Sequence, residues 1–266
     1  VREADARAAS ETLATAEFLL PWDYQIADAQ RNAFLYQGEA SRAAAAGLRA
    51  IRLAPSRAAG YLFLATVRDQ AENRPEQAYA QLLVGLERVP RDVALQFQAA
   101  QLATRQRMNR EALEHYRAIT VLEDSEVGQV RALGEVRDYR YARARLVVAR
   151  AEEQAGNLEA ALAHWKKAAC LLTERRVMFE NGPETYFAFG ERDPDREREL
   201  RNEEESLWRR IAGVYADRGE ARLAELATAQ AAAVEEGRTR LEDILERYRA
   251  VLRSEQWIGP GLPLLV

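Results

Sequence analysis

The chain has 266 residues, of which 48% are hydrophobic and 30% charged, and its formal net charge at pH 7 is −4. This mild negative charge lacks the basic footprint of a nucleic-acid-binding protein, and no run of about 18 apolar residues is present that would span a membrane. The only cysteine, Cys170, excludes an internal disulfide. Its helical, apolar surroundings predict a small buried residue rather than a nucleophile.

Small residues and prolines recur at intervals of about 34 residues in the first half of the chain. Residues 1–23 have the spacing of a single helix that ends at a proline, and we expect structured chain before it because its partner helix is mostly missing. Residues 24–126 contain three fuller copies, 24–57, 58–92 and 93–126. The recurring residues are Ala9, Leu13, Ala16 and Pro21; Gly38, Ala43, Ala50, Leu53 and Pro55; Ala78, Leu82, Leu86 and Pro90; and Ala112 with Tyr116.

Two further copies are predicted in the second half of the chain. Residues 127–174 form an extended copy, in which 127–141 lengthen a helix and the repeated positions are Gly156, Ala161, Trp165 and Ala168. Residues 175–204 alternate turn dipeptides with aromatics, which predicts an irregular insertion. Residues 205–255 contain a copy at 205–238 and a last helix, Thr239 to Ser254, expected to cap the array with a polar outer face. Residues 256–266 form an apolar tail.

The copy at 205–238 resembles the tetratricopeptide repeat (TPR) most closely. Trp208, Ile211, Ala212 and Tyr215 have the spacing of the family pattern W-x2-L-G-x2-Y, and Gly219 and Ala224 follow in phase. The resemblance implies an all-α fold, a TPR-like right-handed superhelix of antiparallel helix hairpins with an irregular insertion and a C-terminal capping helix. Small residues are needed where helices cross closely, glycine ends each first helix in a left-handed conformation, and proline stops each second helix.

The sequence contains no pattern that predicts catalysis, a metal site or a bound cofactor. His115 and His164 occupy the same repeat position on second helices, one to two repeats apart, so their imidazoles are not expected to converge on a metal. No phosphate-binding loop, H-E-x-x-H, G-x-S-x-G or C-x-x-C motif is present. We therefore expect a protein that is not an enzyme and that needs no cofactor.

The resemblance implies that the first helix of each hairpin lines a concave surface that binds a peptide or partner helix. The candidate partner-binding residues on that surface are Asn32, Phe63, Phe97, Gln101, Arg105, Arg143, Arg150, Arg209 and Arg210. The arginines favour an acidic partner because guanidinium groups bind carboxylates in bidentate fashion. The alternative is that they pair with nearby glutamates of the chain itself, such as Glu153 and Glu205.

The apolar tail is the other candidate contact, through Trp257, Leu262 and Leu264. It is expected to pack on its own repeats, on a partner or on a membrane surface. The sequence thus predicts a scaffold, adaptor or assembly subunit, soluble in the cytoplasm or periplasm, with a protein partner and no nucleic acid. It has no transmembrane segment, although it could sit beside a membrane complex. The alternative is the soluble C-terminal TPR region of a larger bacterial membrane enzyme, such as an O-antigen ligase-like glycosyltransferase.

Overall fold

The computed structural model describes residues 3–126, 139–181 and 194–235, and within these ranges the chain is helical with short turns and no strand. The α-helices are α1 (Glu3–Leu19), α2 (Tyr24–Tyr36), α3 (Ala40–Leu53), α4 (Ala58–Thr66), α5 (Pro75–Arg88), α6 (Val93–Arg105), α7 (Asn109–Glu126), α8 (Tyr139–Gln154), α9 (Leu158–Asn181), α10 (Pro194–Asp217) and α11 (Ala221–Glu235). A π-helical turn, Val67–Ala71, follows α4. The predicted all-α fold is confirmed for these residues.

The described residues form five hairpins, which are α2–α3, α4–α5, α6–α7, α8–α9 and α10–α11. Each hairpin turn contains one residue in the left-handed region, which is Gly38, Asn73, Arg107, Gly156 or Gly219. An alanine follows five residues after each of them, at Ala43, Ala78, Ala112, Ala161 and Ala224. This constant register places a small side chain where the second helix begins to cross its neighbour. All but Ala224 are buried, and Ala224 is partly buried.

The chain divides into two compact units, Val1–Ala118 and Ile119–Val266. One core cluster of the first unit is formed by α4, α5 and α6, where Tyr61, Leu82, Leu95 and Leu102 pack together. The crossing of α4 and α5 is so close that Gly85 lies directly against Tyr61, and a methyl group built on Gly85 would lie 2.9 Å from the Tyr61 Cβ. Helix packing here therefore depends on a position that has no side chain.

The core of the second unit is centred on α9 and α10. Trp165 on α9 is buried, as are Trp208, Ile211 and Tyr215 of the TPR-like pattern on α10. Burial also raises the pKa of the Tyr215 hydroxyl to about 12. The large residues of the pattern thus form the interior of this unit, as the predicted register requires.

The helices reach farther into residues 175–204 than the sequence predicted. Helix α9 continues to Asn181 and α10 begins at Pro194. The physical reason is a buried contact between the two helices, in which Arg176 of α9 binds Glu204 of α10 (Nε–Oε2 2.6 Å). Residues 182–193 of the predicted insertion, the segment 127–138, the predicted capping helix 239–254 and the apolar tail 256–266 lie outside the described residues. None of the described helices is long and apolar enough to cross a bilayer.

Candidate protein-binding surfaces

The first helices α8 and α10 lie side by side in the second unit and run in the same direction. Arg143 near the start of α8 forms an ion pair with Glu203 of α10 (2.9 Å). Glu153 at the far end of α8 pairs with Arg210, two turns further along α10. The two bridges keep the same order along both helices, which defines a continuous surface. We call the outward face of α8 and α10 the first-helix surface of the second unit.

The first unit has a comparable arrangement on α4 and α6. Gln98 of α6 donates a hydrogen bond to the Thr66 hydroxyl of α4 (3.2 Å). Two turns further along α6, Arg105 pairs with Asp69 in the π-helical turn that follows α4 (2.6 Å). We call the outward face of α2, α4 and α6 the first-helix surface of the first unit. In each unit, polar side chains connect neighbouring first helices and leave their outer faces open.

Four of the five arginines predicted to bind a partner are engaged within the chain. Besides Arg105, Arg143 and Arg210, Arg209 pairs with Glu205 (2.6 Å) and with Glu235 (3.1 Å). Three of the four have side chains about 60% exposed and the fourth, Arg210, is 49% exposed. Ion pairs in such positions contribute only about 0–1 kcal/mol. They are therefore easily exchanged for a partner's carboxylates.

Arg210 has an additional contact that fixes its position. Its guanidinium lies over the Trp165 ring, 4.7 Å from the centroid, and such a cation–π contact is worth about 0.5–1 kcal/mol at an exposed site. The glutamates that the sequence offered as alternative partners, Glu153 and Glu205, are indeed the residues that bind Arg210 and Arg209.

Three predicted binding residues remain open. Asn32 on α2, Gln101 on α6 and Arg150 on α8 are exposed. None of them forms a side-chain hydrogen bond or ion pair with any residue in the described part of the chain. Arg150 lies two helical turns after Arg143 and therefore on the same face of α8. It is the arginine of the predicted set whose charge is not already neutralised by a described carboxylate.

Phe63 and Phe97 do not belong to an accessible surface, which corrects their assignment as binding residues. Phe63 packs with Phe34 and Val67 in the core, and the Arg31 guanidinium covers its ring at 4.6 Å. Phe97 stacks edge-on against Tyr116, with 6.1 Å between the ring centroids. Both rings are less than 10% exposed, so they stabilise the hairpins instead. The remaining predicted contacts, Trp257, Leu262 and Leu264, lie outside the described residues.

A buried ionic cluster that the repeat pattern does not predict connects α7, α8 and α9. Arg145, whose side chain is 2% exposed, binds the buried carboxylate of Glu123 and, at 2.6 Å, that of Asp124. Arg145 also donates to the Nδ1 atom of His164 (3.2 Å), so this nitrogen is the acceptor and the imidazole is neutral. Lys167 completes the cluster by pairing with Asp124 (2.5 Å).

The helical period contains the signal for these buried charges. Arg145 occupies the same face of α8 as Tyr141, Val148 and Ala149, which are all buried. Similarly, Glu204 lies between Leu200 and Trp208 on the buried face of α10 and accepts a hydrogen bond from Thr173 (2.5 Å). A charge at an otherwise apolar position of the period therefore predicts a buried, paired charge.

Both histidines lie within hydrogen-bonding distance of neighbouring side chains in the described part of the chain. The Tyr79 hydroxyl lies 3.0 Å from the His115 Nε2 atom, and the His115 Nδ1 atom lies 2.7 Å from the Gln96 amide oxygen. Burial lowers the pKa of His115 and of His164, and Arg145 and Lys167 lower that of His164 further. The two imidazoles belong to different compact units. Within the described ranges, no group of three metal-ligating side chains is found.

The described residues form a TPR-like helical-repeat fold, which is defined by the hairpins and their constant register. No family model matches the sequence, and the curated proteins contain no match. Among solved structures, the chain is similar to the crystal structure of MamA, with 14% sequence identity and a TM-score of 0.47. The likeness covers 65% of this chain and 91% of that one.

Proposed function

We propose that the chain is a non-enzymatic interaction scaffold, an adaptor or an assembly subunit that binds a protein partner through its first-helix surfaces. The observation that carries the proposal is the set of open polar side chains on these helices: Asn32 and Gln101 in the first unit and Arg150 in the second. Hydrogen-bonding groups that are exposed and without partners in the described chain can bind a peptide or helix without first breaking internal contacts.

The charge of the second unit favours an acidic partner. Arg150 is available as it stands, and Arg143 and Arg210 on either side of it are held only by exposed ion pairs. Guanidinium groups bind carboxylates through two parallel hydrogen bonds, which gives specificity as well as attraction. A peptide or helix with two or three acidic residues would therefore displace Glu203 and Glu153 and keep the charge of the arginines neutralised.

The predicted insertion, residues 175–204, and the apolar tail, through Trp257, Leu262 and Leu264, are further contact sites under this proposal. The described residues contain nothing that favours the alternative of a region belonging to a larger membrane enzyme.

Charge reversal at Arg150 tests the proposal. The tagged chain is used to recover its partners from the native source, and each is quantified in parallel for the wild type, Arg150→Glu and Arg222→Glu. Arg222 is the matched control because it is exposed on the second helix α11 and forms no ion pair with the described residues. We expect Arg150→Glu to reduce recovery of an acidic partner, increasingly so at low salt, and Arg222→Glu to leave it unchanged. Equal recovery with both variants would contradict the proposal.

A further inference from the structure

Four large apolar side chains are exposed where α1 turns into α2. Phe18 is 85% exposed, Leu19 65%, Leu20 46% and Trp22 69%. We call these four residues the aromatic tip. Exposed apolar side chains on a protein surface are ordinary when they are scattered, but a contiguous group of this size marks a contact site.

The other turns of the first unit show that helix packing does not require these aromatics. The connections α1–α2, α3–α4 and α5–α6 have the same backbone, with helix ends at Leu19, Leu53 and Arg88 and prolines at 21, 55 and 90. Their hydrogen bonds also correspond, with the amides of Leu20, Ala54 and Val89 donating to the carbonyls of Ala16, Ala50 and Gly85 at 2.8, 2.9 and 2.8 Å.

This correspondence gives each of the two aromatic residues of the tip two equivalents in the complete hairpins. Phe18 is equivalent to Arg52 and Glu87, and Trp22 is equivalent to Ser56 and Arg91. All four equivalents are polar and exposed although both helices of their hairpins are present. Pairing α1 with another helix would therefore leave Phe18 and Trp22 facing solvent. Their apolar character serves something other than the repeat.

The surroundings of the tip combine order with positive charge. Arg49 donates to the carbonyl of Pro21 (2.8 Å), which holds the turn. The next turn at the same end of the unit contributes Arg52 and Arg57, which are exposed and make no ion pair with any described residue. Arg57 lies close to the tip, since its guanidinium stacks on the ring of Tyr24 at 4.2 Å.

We propose that the aromatic tip inserts into the surface of a lipid bilayer that contains anionic headgroups. The four apolar side chains are between 46% and 85% exposed at a turn between two helices, and side chains that stand this far out of the surface suit entry into a bilayer better than docking of a peptide. Tryptophan is favoured at the membrane–water interface, and Arg52 and Arg57 complement anionic headgroups beside it. The contact is peripheral and lies at the turn end of the first unit, separate from the first-helix surfaces.

Vesicle sedimentation with the full chain tests this inference. Phosphatidylcholine vesicles with and without phosphatidylglycerol are compared for the wild type, the double variant Phe18→Ser/Trp22→Ser and the control Tyr36→Ser. Tyr36 is a matched control because it is an aromatic that is 67% exposed at the opposite end of α2. We expect the wild type and Tyr36→Ser to bind vesicles containing phosphatidylglycerol. The double variant should bind them at least about tenfold more weakly, because full burial of one such side chain alone is worth roughly that factor.

Two further variants separate insertion from charge and from loss of structure. Trp22→Phe keeps an apolar ring and is expected to retain most of the binding, whereas Arg52→Glu/Arg57→Glu is expected to remove the preference for the anionic lipid. The inference is overturned if the wild type binds neither vesicle, or if the double variant binds as well as the wild type. It is also overturned if the wild type does not bind vesicles and the tip substitutions abolish co-purification of a protein partner, because the tip would then be a protein-binding site.

Discussion

Substitution of Gly85 by alanine tests the closeness of the helix crossing in the first unit. A Cβ atom built on Gly85 would lie 2.9 Å from the Tyr61 Cβ, 3.0 Å from the Tyr61 Cγ and 3.1 Å from the Leu95 Cδ2. Carbon atoms in contact are normally about 3.5–4.0 Å apart. Tyr61 cannot move aside easily, because it is buried and its hydroxyl donates to the carbonyl of Pro55 (2.9 Å).

The magnitude follows from two opposing effects. Overpacking of a close crossing costs about 1–3 kcal/mol, whereas alanine stabilises a helix relative to glycine by roughly 0.5–1 kcal/mol. We therefore expect Gly85→Ala to lower the free energy of unfolding by about 0.5–2 kcal/mol. The measurement is urea-induced unfolding followed by far-ultraviolet circular dichroism.

Gly213 in α10 provides the internal control. A Cβ atom there would meet no heavy atom within 4 Å, and the backbone is helical. Gly213→Ala should therefore raise the free energy of unfolding by about 0.5–1 kcal/mol. If Gly85→Ala were as stabilising as Gly213→Ala, the described crossing of α4 and α5 would be refuted.

Three other perturbations have defined outcomes. Arg145→Met should lower the free energy of unfolding by about 3–5 kcal/mol because it leaves a buried carboxylate unpaired. Arg143→Met, on the exposed face of the same helix, should lower it by at most about 1 kcal/mol. Equal melting temperatures for the two variants would contradict the buried cluster. The lowered pKa of His164 means that the native state resists protonation, so the free energy of unfolding should fall as pH drops below about 6.5 towards the native pKa. His164→Asn keeps an acceptor for the arginine and should reduce that pH dependence, which pH-resolved urea unfolding would show. Ala161→Leu should cost about 1–3 kcal/mol by overpacking and Ala224→Leu less, since Ala161 is fully buried and Ala224 only partly; unchanged melting for Ala161→Leu would show that the register is wrong.

The repeat register could be predicted because it depends on local chemistry. Gly38, Gly156 and Gly219 take the left-handed conformation that the pattern requires. Asn73 and Arg107 take the same conformation, but neither residue is glycine, so the pattern does not mark these two turns. Asparagine tolerates the left-handed region at modest cost. Arginine does so only because the two packed helices on either side fix the turn.

The candidate surface was less predictable because it depends on which side chains find partners. Periodicity places Arg143, Arg150 and Arg209 on first helices but does not show which glutamates approach them. Buried charges such as Arg145 were missed for a related reason. The polarity of a charged residue predicts that it is exposed to solvent, and only its position in the helical period indicates that it is buried.

Site-specific photo-crosslinking tests the central claim, that a protein partner binds the first-helix surfaces, most directly. A photoreactive residue is placed at Gln101 or Arg150 on first helices and, for comparison, at Glu114 or Arg222 on second helices, all of which are exposed. We predict that the same partner is crosslinked from Gln101 or Arg150 and not from Glu114 or Arg222. Crosslinking of that partner only from the second helices, or equally from all four positions, would contradict the claim.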